Sequence, residues 1–254
     1  MSSPSSPTRE SISGGLETVR NTLQTAYRLS SWREKQPEPR LVAVSKTKPA
    51  EVVRWAYESG QRHFGENYVK ELVEKANDPS LASLDIRWHF IGHLQRNKCN
   101  SLVSTPGLWM VETVDSDRLA TALDSSWRKK QTEQRLRIYL QVNTSGEEAK
   151  SGCQPQDIPR SVEHVRNNCP GLEFRGLMTI GRMGHDYATG PNPDFEVLAR
   201  TREDLCSQLG VQPRTVELSM GMSADFTQAV AAGSSNVRVG SSIFGARAPK
   251  TPSS

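Results

Sequence analysis

The alternation of apolar and polar positions repeats one unit along this chain: a short apolar run, a polar turn, then apolar residues at helical spacing. Apolar runs at 41–45, 62–64, 86–91, 109–114, 136–143, 173–178, 215–218 and 236–239 are predicted strands. Helices are predicted over 12–33, 49–59, after Gly65-Glu66-Asn67, near 95–103, after Ser116, from about 155, from 194 and over 224–232. The first carries Leu16, Val19, Leu23, Ala26 and Leu29 on one face. Gly60 stops the second, and Ser116 is placed to cap its helix. The segments 144–154 and 181–193 read as polar or Gly/Pro-rich loops.

Strands that alternate with helices pair in parallel, and eight such units close a (β/α)8 TIM barrel of about 250 residues. A doubly wound open sheet is the alternative. The expected organisation is one barrel domain over 11–247 with an extra N-terminal helix, between disordered tails at 1–10 and 248–254. The Ser/Pro-rich start MSSPSSPTRES supports the first tail.

Composition narrows the function classes. With 254 residues, 35% hydrophobic and 24% charged, the chain has enough apolar residues for a large core. A net charge of +4 suits an anionic ligand and gives no reason to expect nucleic acid. No apolar run approaches the roughly eighteen residues of a membrane span. Cys99, Cys153, Cys169 and Cys206 lie far apart without a metal-ligand pattern, so neither a metal site nor a disulfide scaffold is expected. The start lacks the apolar segment of a secretory signal, and Glu10 and Glu17 suit a mitochondrial presequence poorly. A cytoplasmic protein is expected.

The candidate chemistry begins at Leu41-Val42-Ala43-Val44-Ser45-Lys46-Thr47-Lys48-Pro49. Val42, Val44 and Lys46 share one strand face, which carries a buried row into an ammonium at the strand's carboxyl end. Desolvation there makes Lys46 a candidate Schiff-base former; alternatively both lysines solvate a strand end. Lys48, in the turn before Pro49, is expected to be exposed. In a barrel of this class the active site lies at the carboxyl ends of the strands, with phosphate commonly held after strands seven and eight. Those loops are Ser219-Met220-Gly221-Met222-Ser223 and Gly240-Ser241-Ser242. Small, hydroxyl-bearing and leading into helical turns, they can cradle an anion, although each alone also reads as a helix cap with a turn glycine. Barrel closure would set this cradle beside Lys46.

Arg238 between Val237 and Val239 needs a partner if buried, either an ion pair inside the barrel or a ligand. Asn67 is a helix N-cap or a ligand hydrogen-bonder. Met178 and Thr179 pack in the core or against a ring. His89 and His93 read first as core histidines, and Glu112 with Asp115 makes no evident catalytic pair. Nucleophile-elbow, Walker and metal motifs are lacking. An aldehyde-reactive lysine, a phosphate cradle and an arginine facing a ring nitrogen together describe pyridoxal 5′-phosphate.

The segments LVAVSKTKP, HFGENYVKEL, WHFIGHLQRNK, VNTSGEEAKSG, GLMTIG, ELSMGMSADF and VRVGSSIFGAR resemble the pyridoxal-phosphate homeostasis protein family, the YggS/PROSC-type group related to the N-terminal barrel of alanine racemase. The likeness runs from about Leu41 to Arg247. It implies Lys46 as the Schiff-base lysine, Asn67, Met178, Thr179 and Met222 lining the cofactor, Ser219, Ser223, Gly240 and Ser241 around the phosphate, and Arg238 at the pyridine nitrogen. It further implies a monomer without the racemase's second domain and catalytic tyrosine, which holds the cofactor and supplies it to apo-enzymes, with no catalytic residue. The competing expectations are a racemase or other cofactor-dependent enzyme, for which Tyr68 is the nearest tyrosine, and a cofactor-free Schiff-base aldolase.

Overall fold

The computed structural model describes residues 7–147, 151–182 and 184–245. Its order is α1 (Arg9–Leu29), β1 (Arg40–Val44), α2 (Ala50–Glu58), β2 (His63–Glu66), α3 (Val69–Ala76), β3 (Arg87–Phe90), α4 (Cys99–Val103) and β4 (Leu108–Val114). There follow α5 (Asp117–Arg128), β5 (Leu136–Gln141), α6 (Ile158–Asn168), β6 (Leu172–Met178), α7 (Pro193–Leu209), β7 (Glu217–Ser219), α8 (Phe226–Ala231), β8 (Asn236–Val239) and α9 (Ser241–Phe244).

The strands form one closed barrel in sequence order, every neighbour parallel, so the expected (β/α)8 TIM barrel is the fold and the open sheet is not. Closure is made by β1 on β8, with Val42 opposite Arg238 and Ala43 opposite Val239. Alternation along each strand divides two environments. Leu41, Ala43, Phe64, Val111, Ile138, Leu177, Leu218, Val237 and Val239 join the buried apolar layer beneath the helices. The opposite faces fill the lumen. Bonds between strands that are not neighbours cross it: Arg40 of β1 donates to the Tyr139 hydroxyl of β5 at 3.1 Å, and Ser219 of β7 donates to Glu112 of β4 at 2.6 Å.

Element bounds differ from the sequence reading where caps decide. Helix α1 starts at Arg9 rather than 12 because Thr8 and Ser11 form a reciprocal capping box, so Thr8–Glu10 belong to the helix start and not to the disordered tail expected over 1–10. It ends at Leu29, short of 33, and Leu29 is 82% exposed rather than part of the buried face. Strand β2 runs on to Glu66, two residues beyond 64. Ser116 caps α5 through Leu119 N–H, as its position predicts. The helix expected near 95–103 is a 3-10 turn, Arg96–Lys98, leading into α4. Residues 1–6 and 246–254, most of the expected tails, lie outside the described residues, as do 148–150 and 183 in the two long loops. Among the described residues no helix is long and apolar enough to cross a membrane, and no cluster suits a metal ion.

Candidate functional site at the carboxyl end of the barrel

A cavity of about 370 Å³ opens at the carboxyl ends of the strands. Eight of the ten residues singled out in the sequence line it: Lys46, Asn67, Met178, Met222, Ser223, Arg238, Gly240 and Ser241. Lys46 follows β1 in a turn closed by Lys48 N–H donating to Ser45 O. Below that turn lies a buried ionic cluster. Lys75 Nζ donates to Ser45 O at 2.8 Å and to Glu66 Oε1 and Glu71 Oε1 at 2.7 Å each, while the Ser45 hydroxyl donates to Glu66. Lys48, expected in solvent, lines the same cavity, and burial pulls its ammonium below the ordinary lysine pKa.

Asn67 is not a helix cap: α3 takes Tyr68 at that position, and no side chain caps it. Its backbone lies against Gly92, where the Cβ of any side chain would collide with the Asn67 carbonyl. That close approach explains the glycine between Ile91 and His93. Asn67 Oδ1 is buried without a hydrogen-bond partner among the described residues. An orphaned buried acceptor at a cavity wall is costly unless a ligand or water supplies a donor.

The cradle forms on the other wall. Ser223 Oγ accepts from Gly240 N–H at 3.1 Å, which ties the loop after β7 to the end of β8. Asp225 Oδ1 accepts from Met222 N–H at 2.6 Å and starts the turn toward α8. Helix α9 follows Gly240 directly, so the amide groups of Ser241 and Ser242, in its first turn, lack an intrahelical acceptor.

Arg238 is buried on β8 at the cavity, as the ligand alternative requires, and its hydrogen-bond partners inside the barrel are a hydroxyl and a carbonyl, with Glu112 reached through Ser219. It lines the cavity, and inside the barrel its Nη1 donates to Ser219 Oγ and its Nη2 to Thr179 O at 2.8 Å. Burial lowers its pKa and Glu112 opposes that shift; a guanidinium so placed keeps its charge.

Ser219 and Thr179 do not line this cavity. Ser219 ends β7 facing the lumen, wholly buried, and its hydroxyl is engaged by Glu112 and Arg238. Thr179 offers Arg238 its carbonyl, and its hydroxyl meets Thr144 Oγ1 at 2.9 Å in a neighbouring cavity of about 170 Å³. His89 is a core histidine as expected. His93 is not: it is exposed at the neighbouring cavity, 3.5 Å from Asp115. The sequence reading passed over Ile91, Ile180 and Phe244 of the apolar lining, and weighed Glu112 only as half of a catalytic pair with Asp115. Glu112 had a further signal: it is the one charge in the mostly apolar β4.

Comparison with known proteins bears on this arrangement. The family described as "Alanine racemase, N-terminal domain" matches residues 21–248. A pyridoxal phosphate homeostasis protein of Homo sapiens is 58% identical over 212 residues, covering 83% of this chain and 77% of the relative. The chain belongs to the pyridoxal phosphate homeostasis protein family. Its namesake in Caenorhabditis elegans is 49% identical over 209 residues, covering 82% of this chain and 86% of that one. Among solved structures, PipY of Synechococcus elongatus without PLP is 36% identical with a TM-score of 0.73, and with PLP bound 35% identical with a TM-score of 0.69; each covers 87% of this chain and 99% of PipY. Alanine racemase from E. faecalis, at 17% identity and a TM-score of 0.63, shares the fold over 94% of this chain and 58% of its own.

Proposed function

We propose that this chain binds pyridoxal 5′-phosphate in the cavity at the carboxyl end of its barrel and serves in the intracellular handling of that cofactor. One observation carries the reading: a single cavity joins an amine at Lys46, a buried arginine at Arg238, an orphaned acceptor at Asn67 and the small-residue cradle of Ser223, Gly240 and Ser241. In this reading Lys46 Nζ condenses with the cofactor's aldehyde to a Schiff base, with loss of water. The cradle's N–H and hydroxyl groups hold the phosphate. Arg238 donates to the ring nitrogen and, unable to surrender its proton, leaves that nitrogen unprotonated. Such a ring withdraws electrons weakly, which suits holding the cofactor better than driving amino-acid chemistry on it. The naming of the relatives supports a homeostatic role. Delivery to apo-enzymes, by a cytoplasmic monomer without chemical turnover, completes the proposal.

The deciding measurement is the visible spectrum of the purified protein incubated with pyridoxal phosphate, then borohydride reduction and peptide mapping. Absorbing protein with the label on Lys46, and no label in a folded Lys46→Ala variant, is the expected result. Label on Lys48 instead would transfer the covalent role to the second cavity lysine. A protein that stays colourless returns the barrel to the aldolase alternative.

A further inference from the structure

Beneath the cavity, side chains from five strands join in one chain across the lumen. Arg238 donates to Ser219 Oγ, and Ser219 Oγ donates to Glu112 Oε2 over 2.6 Å. Asn236 Nδ2 lies 3.2 and 3.3 Å from the same two carboxylate oxygens. From the opposite side His89 Nδ1 lies 2.6 Å from Glu112 Oε1, and His89 Nε2 lies 2.8 Å from His63 Nδ1. Arg87 Nη1 stands 3.5 Å from His63 Nε2, at the amino end of the barrel. His89, Glu112, Ser219 and Asn236 are all fully buried.

Every proton in this chain has one place to be. An ionised Glu112 only accepts, so His89 donates from Nδ1. A neutral His89 then accepts at Nε2, which makes His63 donate from Nδ1 and accept at Nε2 from Arg87. Burial pulls both imidazoles down, His63 to about 2, with His89 and the charges of Arg40 and Arg87 adding to the shift there. Burial alone would raise Glu112, but its bond with His89 and the charge of Arg238 outweigh that and leave it lowered. Donors thus converge on one carboxylate from both ends of the barrel. That carboxylate is linked to Arg238 through the Ser219 hydroxyl and is held directly by His89 and Asn236; Asp225 also opposes the fall in the arginine's pKa.

We infer that Glu112 is a positioning residue for the cavity: acting through Ser219, and held by His89 and His63 as neutral Nδ1–H tautomers, it compensates the charge of Arg238 and fixes its orientation toward the ligand. The inference rests on reading the cavity as the pyridoxal phosphate site. It differs from a space-filling role, which would affect folding alone. A lumen filled for packing would tolerate an isosteric amide at 112 without any change at the ring.

The test has two parts. Nitrogen-15 correlation spectra of the ligand-free protein, with each histidine assigned by substitution, should show His63 and His89 protonated at Nδ1 and not at Nε2. Pyridoxal phosphate is then titrated into wild type, Glu112→Gln and Ser219→Ala, with circular dichroism to establish folding. Glu112→Gln should bind about tenfold more weakly and move the absorbance maximum of the bound cofactor. Ser219→Ala, which deletes only the bridging hydroxyl, should move it in the same direction by less. If Glu112→Gln does not fold, Ser219→Ala decides alone. Nε2–H tautomers, or folded variants with wild-type affinity and an unmoved maximum, overturn the inference. Wild type that takes up no cofactor overturns the proposed function instead and leaves the tautomer result standing.

Discussion

Thr47 sits at φ 64°, a left-handed conformation that its branched Cβ disfavours, between two lysines that both line the cavity. Such a residue costs about 1–3 kcal/mol and persists only where its surroundings impose it. Here they do: Thr47 N–H donates to Glu71, which is held by Lys75, which also grips Ser45 O and Glu66. Within this cluster burial raises Glu66 to about 7, against the opposing pull of Lys75, and its Oε2 lacks a partner among the described residues. The sign follows. A carboxyl raised from 4.5 to about 7 contributes stability that is full below the lower value and lost as pH rises through the upper. Glu66→Gln, neutral throughout, should therefore gain melting temperature relative to wild type at pH 8 and gain less at pH 5. Equal differences at both pH values would mean that Glu66 is ionised across the range. At this scale the sequence exposed single oddities, a lysine ending a buried strand and an arginine inside another. It did not pair Arg238 with Glu112, because the Arg238–Ser219–Glu112 contact joins strands far apart in the chain.

Among the elements, α1 and α9 show how a short cradle is steadied. The four-residue α9 cannot hold its own position, since so short a helix is marginal without packing. Helix α1 lies against it and α8, burying Ile12, Leu16, Val19 and Leu23. Contact is closest at Gly15, where an added Cβ would stand 2.9 Å from Ser242 O and 3.1 Å from Ile243 O. Gly14, one residue earlier, would meet nothing within 4 Å. The adjacent glycines give opposite expectations. Gly14→Ala should stabilise the protein by about 1 kcal/mol through helix propensity. Gly15→Ala should lower the melting temperature and weaken phosphate-dependent cofactor binding by shifting α9. Calorimetry with a pyridoxal phosphate titration checks both, and a Gly15→Ala protein with unchanged affinity would detach α1 from the cradle. The amphipathic pattern announced α1 in the sequence. The reason for glycine in the middle of a helix was not there, since it lies in a backbone more than two hundred residues away.

For the whole molecule, the cavity is assembled from β1, β6 and β8 and from the loops that follow β1, β2, β3, β6, β7 and β8, so both ends of the barrel sequence meet in it. A ligand bound there and not to the unfolded chain stabilises every element it bridges together. At free pyridoxal phosphate about 100-fold above its dissociation constant the gain should be about 3 kcal/mol. That appears as a rise of several degrees in melting temperature, growing with ligand concentration, and smaller in Lys46→Ala. A flat response in wild type would count against binding at this site. The sequence by itself determined eight parallel strands alternating with helices, because that alternation is local and parallel pairing follows from it; closure into a barrel rather than an open sheet was decided by β1 pairing with β8. It also determined which strand ends carry chemistry, through Lys46, Arg238 and the hydroxyl-rich loops. Tertiary structure alone decided which of those side chains reach the cavity. Ser219 turned inward because a buried carboxylate on β4 needed its hydroxyl, and Thr179 turned toward the neighbouring cavity. Lys48 entered the cavity because Thr47 is forced into a left-handed turn. Each of these rests on contacts between strands and helices that only barrel closure brings together.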